Sequence, residues 1–413
     1  MTMTAAENER LTQVEGDAPM GQWLRREHWI PFAISGKLVA DGAPLRVRLL
    51  GGDFVAFRAT DGRVGMFDER CPHRGASLAL ARNEHNALRC IYHGWQFGVD
   101  GRTLDVPTQA GDKEAFCRDV PLRHYPVREG GGIAWVWLGE QGRKGAAPPA
   151  FPHFEFMDIP PENRAVFKQT GHFNWVQAVE TTMDSAHAGV LHQSHVAGMT
   201  LAHLAEDLAP VYEIENRPYG FRYAGIRTLP EGKRYVRVNA FVLPWYGVIA
   251  PRTSPYEGGN VFFAVPIDNE HSTYWTVRYR MDGPIERDPM IAFTDPDDWP
   301  PKVPGTPANS WGQDRALMKQ GHFTGFPQHL TTEDLVIAES QGPILDRTKE
   351  YLNTGDAALV RLRRLLLEAV AVFHGASDTR QTAASPAKVD YPALRGVAGM
   401  LEPGADWRKL RDY

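Results

Sequence analysis

Two groups of residues in this sequence have the types and spacing to hold metal. Cys71-Pro-His73 is followed, after sixteen residues, by Cys90-Ile-Tyr-His93, so two short loops each offer one thiolate and one imidazole. Two thiolates on one iron and two imidazoles on the other make a 2Fe-2S cluster with a raised potential, roughly -150 to +300 mV, because neutral ligands replace two anionic ones. Such a centre passes single electrons. Four nitrogen and sulfur ligands in paired loops also suit tetrahedral zinc, although one residue between Cys71 and His73 is an unusual spacing for it. The second group lies in NWVQAVETTMDSAHAGVLHQSH, which contains Asp184-x-x-His187-x-x-x-x-His192. Two imidazoles and a carboxylate on one face of an iron(II) ion leave the opposite positions open to dioxygen and a substrate. Glu180, Asp184 and His187 fall at i, i+4 and i+7, one face of a helix. His192 would be turned from His187 by about 140° on a regular helix. The helix must therefore end or distort near Gly189 for both imidazoles to meet one ion. The carboxylate ligand has to come from farther along, and spacing alone does not choose among the acids after residue 200.

The elements that must position these groups follow from pattern. From Trp29 to about Leu138, short apolar pieces such as LRVRLLGGDFVAF and GGIAWVWLGE are punctuated by Gly, Asp-Gly and Pro turns, which predicts a small antiparallel β domain. QGRKGAAPPAFP, residues 141–152, has the composition of a link between domains. The division is placed there, giving residues 1–145 and 146–413. The second part opens with a helix from Asn174 to about Leu191, then strand-like YVRVNAFVLPW, NVFFAVPI and STYWTVRYRM, expected to form an antiparallel sheet flanked by helices. TTEDLVIAES starts with threonines suited to capping, and residues 356–373 have the apolar period of a packed helix. The fold class is α+β. Residues 375–388 read as a polar loop. On the run from Tyr235, the residues Tyr235, Arg237, Asn239 and Phe241 share one strand face opposite Val236, Val238, Ala240 and Val242. That mixed face is suited to a cavity that stacks a ring and holds an acid.

Length and composition bound the rest. With 413 residues, 43% apolar and 23% charged, the chain has the size and character of a soluble two-domain protein. A net charge of -5 asks for neither nucleic acid nor an anionic membrane. No apolar run approaches the roughly 18 residues of a membrane span, and the start, MTMTAAENERLTQVEG, has no basic-then-apolar leader, so the expected location is the cytoplasm. Three cysteines are too few for a disulfide framework. Cys117, outside both groups, reads as a small buried thiol.

CPHRGASLAL followed by CIYHGWQFGVDGR, with Gly-Trp after the second His, resembles the Rieske motif of aromatic-ring-hydroxylating oxygenases. The similarity runs from ENERLTQVEGDAPMGQWLRREHWIPF through the final helices. The Pro-Met-Gly opening, Asp184-Ser-Ala-His187 and SQGPILDR resemble the phthalate-dioxygenase-like group, which includes oxygenases of chlorobenzoate, phenoxybenzoate and lignin-derived biaryl carboxylates. The resemblance implies an N-terminal Rieske β domain with a 2Fe-2S cluster on Cys71, His73, Cys90 and His93. It implies a helix-grip-like catalytic domain with mononuclear Fe(II) on His187, His192 and a distant aspartate. The segment TTEDLVIAESQGPILDRTKEYL matches the helix that supplies this aspartate, at Asp334, with Glu333 and Asp346 as competitors. Asp184 would bridge a cluster imidazole of a neighbouring subunit, His93, to His187 in a homotrimer or a stacked hexamer of two trimers.

By the same resemblance, electrons come from NAD(P)H through a separate reductase, with or without a ferredoxin, since no nucleotide-binding motif stands in this chain. The implied substrates are dioxygen and an aromatic carboxylate, leading to ring dihydroxylation, monohydroxylation or O-demethylation. The carbon held over the iron decides which. A carboxylate asks for an arginine, and Arg222 and Arg237, with Asn239 beside them, are the candidates; Arg227, Arg234 and Arg252 lie in the same region. The sequence departs from the family's Glu-Asn pair in having Glu180-Thr181, and His195 falls outside the His-x4-His pattern, as a surface or supporting residue. A Rieske electron carrier without oxygenase activity is the alternative; it would explain residues 1 to about 145 and leave Asp184, His187 and His192 idle.

Overall fold

Short β-branched and aromatic runs separated by turn residues become antiparallel ladders throughout the chain. A computed structural model describes residues 3–139, 146–196, 203–250, 259–285, 303–375 and 389–410. Arg252 and most of the polar stretch at 375–388 lie outside the described residues, as does the start of the linker. Contacts divide the chain into two units. One is Glu15–Asp17 with Gly21–Pro152; the other is Met1–Val14, Ala18–Met20 and His153–Tyr413.

The first unit holds three small antiparallel sheets. One has the order β1 (Ile30–Ile34), β10 (Ile133–Val136), β9 (Val127–Gly130); the next joins β2 (Leu45–Leu49), β3 (Gly52–Arg58) and β4 (Val64–Asp68). The third runs β5 (Arg82–Glu84), β6 (Ala87–Arg89), β7 (Gln96–Gly98), β8 (Thr103–Asp105). Phe57, Phe67, Leu78, Leu88 and Phe97 form its core together with Cys71 and Cys90, so the metal loops are anchored in apolar packing. Cys117 is on a short helix, Lys113–Asp119, half-buried at the margin of that core rather than inside it.

In the second unit one antiparallel sheet runs β11 (Arg164–Gly171), β17 (Ser272–Tyr279), β16 (Asn260–Pro266), β15 (Tyr246–Ile249), β14 (Arg234–Val242), β13 (Gly220–Thr228), β12 (Val211–Arg217), with β18 (Val397–Leu401) also paired to β14. The helix Trp175–Met183 lies on β15, β16 and β17. Its first turn is capped by Asn174, whose side chain accepts from the Val176 N–H and donates to the carbonyls of Thr12 and Asn269. The helix Leu330–Ser340 packs beside it and is capped by His329, not by the threonines, which sit inside the helix. The final long helix, Ala357–Phe373, buries Ala358, Leu362, Leu365, Leu366 and Val370, the stripe its periodicity predicts. An N-terminal helix, Ala5–Thr12, packs on this unit through Asn8, which meets the Leu345 carbonyl and Arg347. Among the described residues no helix is long and apolar enough to cross a membrane.

These helices are pinned by one buried ionic group. Glu180, 5% exposed, receives Arg347 Nε and Nη2 at 3.0 and 2.8 Å and Arg363 Nε at 2.6 Å. Arg363 also forks onto Glu350 at 2.6 and 2.9 Å. Burial opposes the Glu180 charge, but the two guanidiniums prevail and hold its carboxyl below the usual range. A depressed folded-state value means this contribution is present above the ordinary carboxyl range and is lost as pH falls through the folded value. Removing one partner from a buried group of this kind leaves uncompensated charge and costs about 3–5 kcal/mol. Glu180→Gln should therefore lower the melting temperature strongly at neutral pH, and an unchanged melting curve would show that the group does not pin the helices.

Candidate metal centres

The two cysteine loops have the same backbone. Cys71 N–H donates to Ala76 O at 2.8 Å and Gly75 N–H to Cys71 O at 2.9 Å; Cys90 N–H donates to Trp95 O at 2.8 Å and Gly94 N–H to Cys90 O at 2.9 Å. Each turn closes through a left-handed residue four places after its cysteine, Gly75 at φ 72° and Gly94 at φ 74°, a conformation glycine adopts without penalty. Matching loops thus present one buried thiol each, and the imidazoles of His73 and His93 come to 4.4 Å between ring centroids although they follow their cysteines by two and three residues. Trp95 stacks on His73 at 4.7 Å. Burial pushes the Cys71 thiol up to about 11 against the backbone hydrogen bond at His73, and burial, then the neighbouring His73 and Arg74, holds His93 low. His93 Nδ1 is enclosed without a hydrogen-bond partner. Two thiols and two imidazoles, one with an orphaned nitrogen, fit a cluster with mixed ligation.

The second centre depends on a break in the helix. Trp175–Met183 ends at Asp184, which is extended (φ -81°, ψ 117°), and short helices resume at His187–Val190 and Gln193–Val196. The break comes before His187 rather than near Gly189, because Asp184 Oδ1 accepts from the Ala186 N–H at 2.7 Å and so offers the backbone an alternative to the helix. Arg227, fully buried, supports it with a 2.7 Å hydrogen bond to Ser185 O. Gly189 matters for a different reason: a Cβ there would stand 2.2 Å from Leu204 O.

The break lets His187, His192 and Asp334 converge. Their candidate ligand atoms lie within 4.8 Å of one another. Asp334 Oδ1 is 3.5 Å from His187 Nε2 and 3.1 Å from His192 Nε2, yet is buried without a hydrogen bond. Desolvation opposes charge on these groups, but the Asp184 and Asp334 carboxylates hold His187 up to about 10, and the imidazoles hold Asp334 well below the usual carboxyl range. A carboxylate facing two Nε2 atoms is a donor set that a divalent cation satisfies in place of protons. Glu333 faces away, toward His192 Nδ1 at 2.7 Å, and Asp346 is a distant cap bound to Thr348 and Lys349. His195 sits behind the centre, with Nε2 3.0 Å from Phe326 O. Asp184 Oδ2 lies 3.5 Å from His187 Nδ1 and remains 24% exposed.

A cavity opens on this group, with Arg237, Asn239, Phe262, Tyr274 and Arg278 among its walls. Strand register corrects one expectation. Arg237 and Asn239 pair with Gly225 and Tyr223, whereas Arg222 pairs with Ala240 and so belongs to the opposite face. There it bonds Glu215 at 2.6 Å and covers Trp407, far from any role in this cavity. Arg234 is likewise used elsewhere, on Glu402 and Ala405 carbonyls. Asn239 lines the cavity but commits its oxygen to Ala250 N–H at 2.8 Å and its amide to Tyr223 at 2.9 Å, so it braces the wall. Arg237 anchors Nη2 on Ala250 O at 2.7 Å. Sequence reasoning missed Tyr274, Thr276 and Arg278, although their alternation on β17, like that of Asn260 and Phe262 on β16, is legible as one strand face.

Residues 28–126 match the Rieske 2Fe-2S domain family and residues 136–412 the family described as LigXa C-terminal domain like. The chain is 36% identical to the phthalate 4,5-dioxygenase oxygenase subunit of Pseudomonas putida, over 98% of this chain and 94% of that one. It is 33% identical to the 3-chlorobenzoate-3,4-dioxygenase oxygenase subunit of Comamonas testosteroni, over 90% of each. In fold it is similar to the terminal oxygenase of carbazole 1,9a-dioxygenase from Novosphingobium sp. KA1, with a TM-score of 0.58 at 21% identity, covering 88% of this chain and 97% of that one.

Because the two ligand groups belong to separate units, they should be separable by mutation. His187→Ala, His192→Ala or Asp334→Ala should each lose the mononuclear iron while the cluster keeps its visible spectrum and acid-labile sulfide. Asp346→Ala should keep both. Full mononuclear iron in folded Asp334→Ala would assign the carboxylate elsewhere.

Proposed function

The chain belongs to the Rieske non-haem iron oxygenases, in the phthalate-dioxygenase-like group, and on that premise we propose that it hydroxylates an aromatic carboxylate held by Arg237 beside the mononuclear iron. It is a terminal oxygenase whose cofactors are a Rieske 2Fe-2S cluster and non-haem iron. When bound, the iron supplies the activation of dioxygen. Cys71, His73, Cys90 and His93 would hold the cluster, and His187, His192 and Asp334 the iron.

The observation that carries the substrate class is a buried guanidinium in the same cavity as the three candidate ligands. Arg237 is 5% exposed and oriented by Ala250 O. A cation enclosed in a largely apolar site favours an anion, and a guanidinium matches a carboxylate fork. Phe262 and Tyr274, stacked at 5.8 Å on adjacent strands, offer a flat wall for a ring. The two relatives above are named for phthalate and 3-chlorobenzoate, both aromatic acids, and both are called dioxygenases. Ring dihydroxylation is therefore preferred over O-demethylation. A separate reductase delivers the electrons, the oxygenase works in the cytoplasm as a homotrimer or stacked trimers, and Asp184 links His187 to His93 of a neighbouring subunit.

Oxygen uptake with a surrogate reductase tests the substrate class. Aromatic carboxylates should stimulate uptake, while the methyl ester or amide of an active acid should bind at least about tenfold more weakly, because a hydrogen bond to a charged group contributes about 1.5–3 kcal/mol. Arg237→Gln should erase that difference. Equal affinity for acid and ester would point to a neutral aromatic substrate, and formaldehyde release from methoxylated acids to O-demethylation.

Asp184 is tested by a change that keeps its size. Asp184→Asn should retain cluster, mononuclear iron and normal reduction by the reductase, while turnover falls by orders of magnitude. A wild-type rate of cluster reoxidation with substrate and oxygen in an intact Asp184→Asn assembly would remove Asp184 from the electron path.

A further inference from the structure

Glu333 is the residue before the candidate iron ligand Asp334, and successive residues on a helix diverge by about 100°. The two carboxylates thereby reach opposite edges of one imidazole. Glu333 Oε2 lies 2.7 Å from His192 Nδ1, and Asp334 Oδ1 lies 3.1 Å from His192 Nε2. We propose that Glu333 is a positioning residue that fixes the tautomer and orientation of His192 and so sets how tightly the mononuclear centre holds its metal.

The hydrogen-bond directions around Glu333 leave little freedom. Its other oxygen, Oε1, meets the Thr324 hydroxyl. Thr324 Oγ1 accepts from the Phe326 N–H at 3.3 Å, so its own hydrogen is directed to Glu333. His195 Nε2 approaches Oε1 at 3.7 Å, but its hydrogen goes to Phe326 O at 3.0 Å, a group that can only accept. With Oε1 accepting from Thr324 and Oε2 left to accept from His192, the arrangement places hydrogen on Nδ1 of His192 and leaves Nε2 as the edge that a metal would take. Glu333 is fully buried, and among the described residues its charged or titratable contacts are the two imidazoles. An enclosed carboxylate with such short contacts turns His192 into a stronger donor than an unsupported imidazole.

The two ligand imidazoles are consequently held unequally. His187 Nδ1 is enclosed without a hydrogen bond among the described residues, with Asp184 Oδ2 at 3.5 Å, while His192 Nδ1 is hydrogen-bonded to Glu333 at 2.7 Å. The arrangement divides tasks: the His192 edge secures the metal, and the His187 edge is left to Asp184. It also accounts for two adjacent acids where a single ligand would suffice.

This inference rests on the reading of His187, His192 and Asp334 as metal ligands, and the test separates the two. Mononuclear metal is removed with the cluster left in place, and iron(II) or cobalt(II) affinity is measured by chelator competition. Wild-type protein that takes up no metal at this site sinks the ligand reading itself. If wild type binds, Glu333→Gln should weaken affinity by about 10–100-fold and Glu333→Asp should recover part of it. Affinity within twofold of wild type in folded Glu333→Gln overturns the proposal and leaves Glu333 a brace between helix and loop. Should that variant fail to fold, cobalt-substituted wild type decides: the shifted Nδ1–H resonance of His192, hydrogen-bonded to Glu333, should exchange with solvent more slowly than that of His187, whose Nδ1 has no hydrogen bond among the described residues. Equal, fast exchange of both would count against a closed Glu333 contact.

Discussion

Asp334 and the imidazoles of His187 and His192 bring one carboxylate and two ring nitrogens within 4.8 Å of one another in a partly buried site. Burying such groups costs several kcal/mol unless each finds a partner, so the second unit is arranged to supply partners. Asp184 and Glu333 take the outer edges of the imidazoles, and the inner edges are left facing one another as a cation site. The helix break at Asp184 follows from the same requirement, since a continuous helix would carry His192 away from His187.

Holding that geometry falls to groups that never touch the metal. Glu180, on the helix that ends at the break, is gripped by Arg347 and Arg363 from the C-terminal part of the chain. Arg227 ties the extended residues after the helix to β13. The ligand-bearing segments are thereby fixed to the sheet whose other residues wall the cavity beside them, so candidate ligands and cavity share one rigid frame.

In the first unit rigidity has a different source. The two cysteine loops repeat one hydrogen-bond pattern, and the cysteines are packed among Phe57, Phe67, Leu78, Leu88 and Phe97. Thiols enter from the core side and imidazoles lie toward the surface, beside exposed Ile91 and Tyr92. That polarity suits a centre whose electrons leave through its histidine end.

Much of this was legible in the residue order because its signals are local. Cys71, His73, Cys90 and His93 stand in two short loops whose glycines announce the left-handed turns, and the strand and helix periods reflect side-chain alternation alone. The carboxylate partner of His187 and His192 is a different matter, since it lies some 140 residues away and only resemblance selected Asp334 over Glu333. Tertiary structure separated those adjacent acids by turning one to each edge of His192. It also sent Arg222 to the far side of the sheet, through a register that single-strand alternation does not contain. The chemistry of the two centres was therefore determined by the sequence itself, where spacing and residue type suffice. Which distant side chains meet His187 and His192, and which face the cavity, was decided only by the packing of strands and helices, because that depends on pairings between segments far apart in the chain.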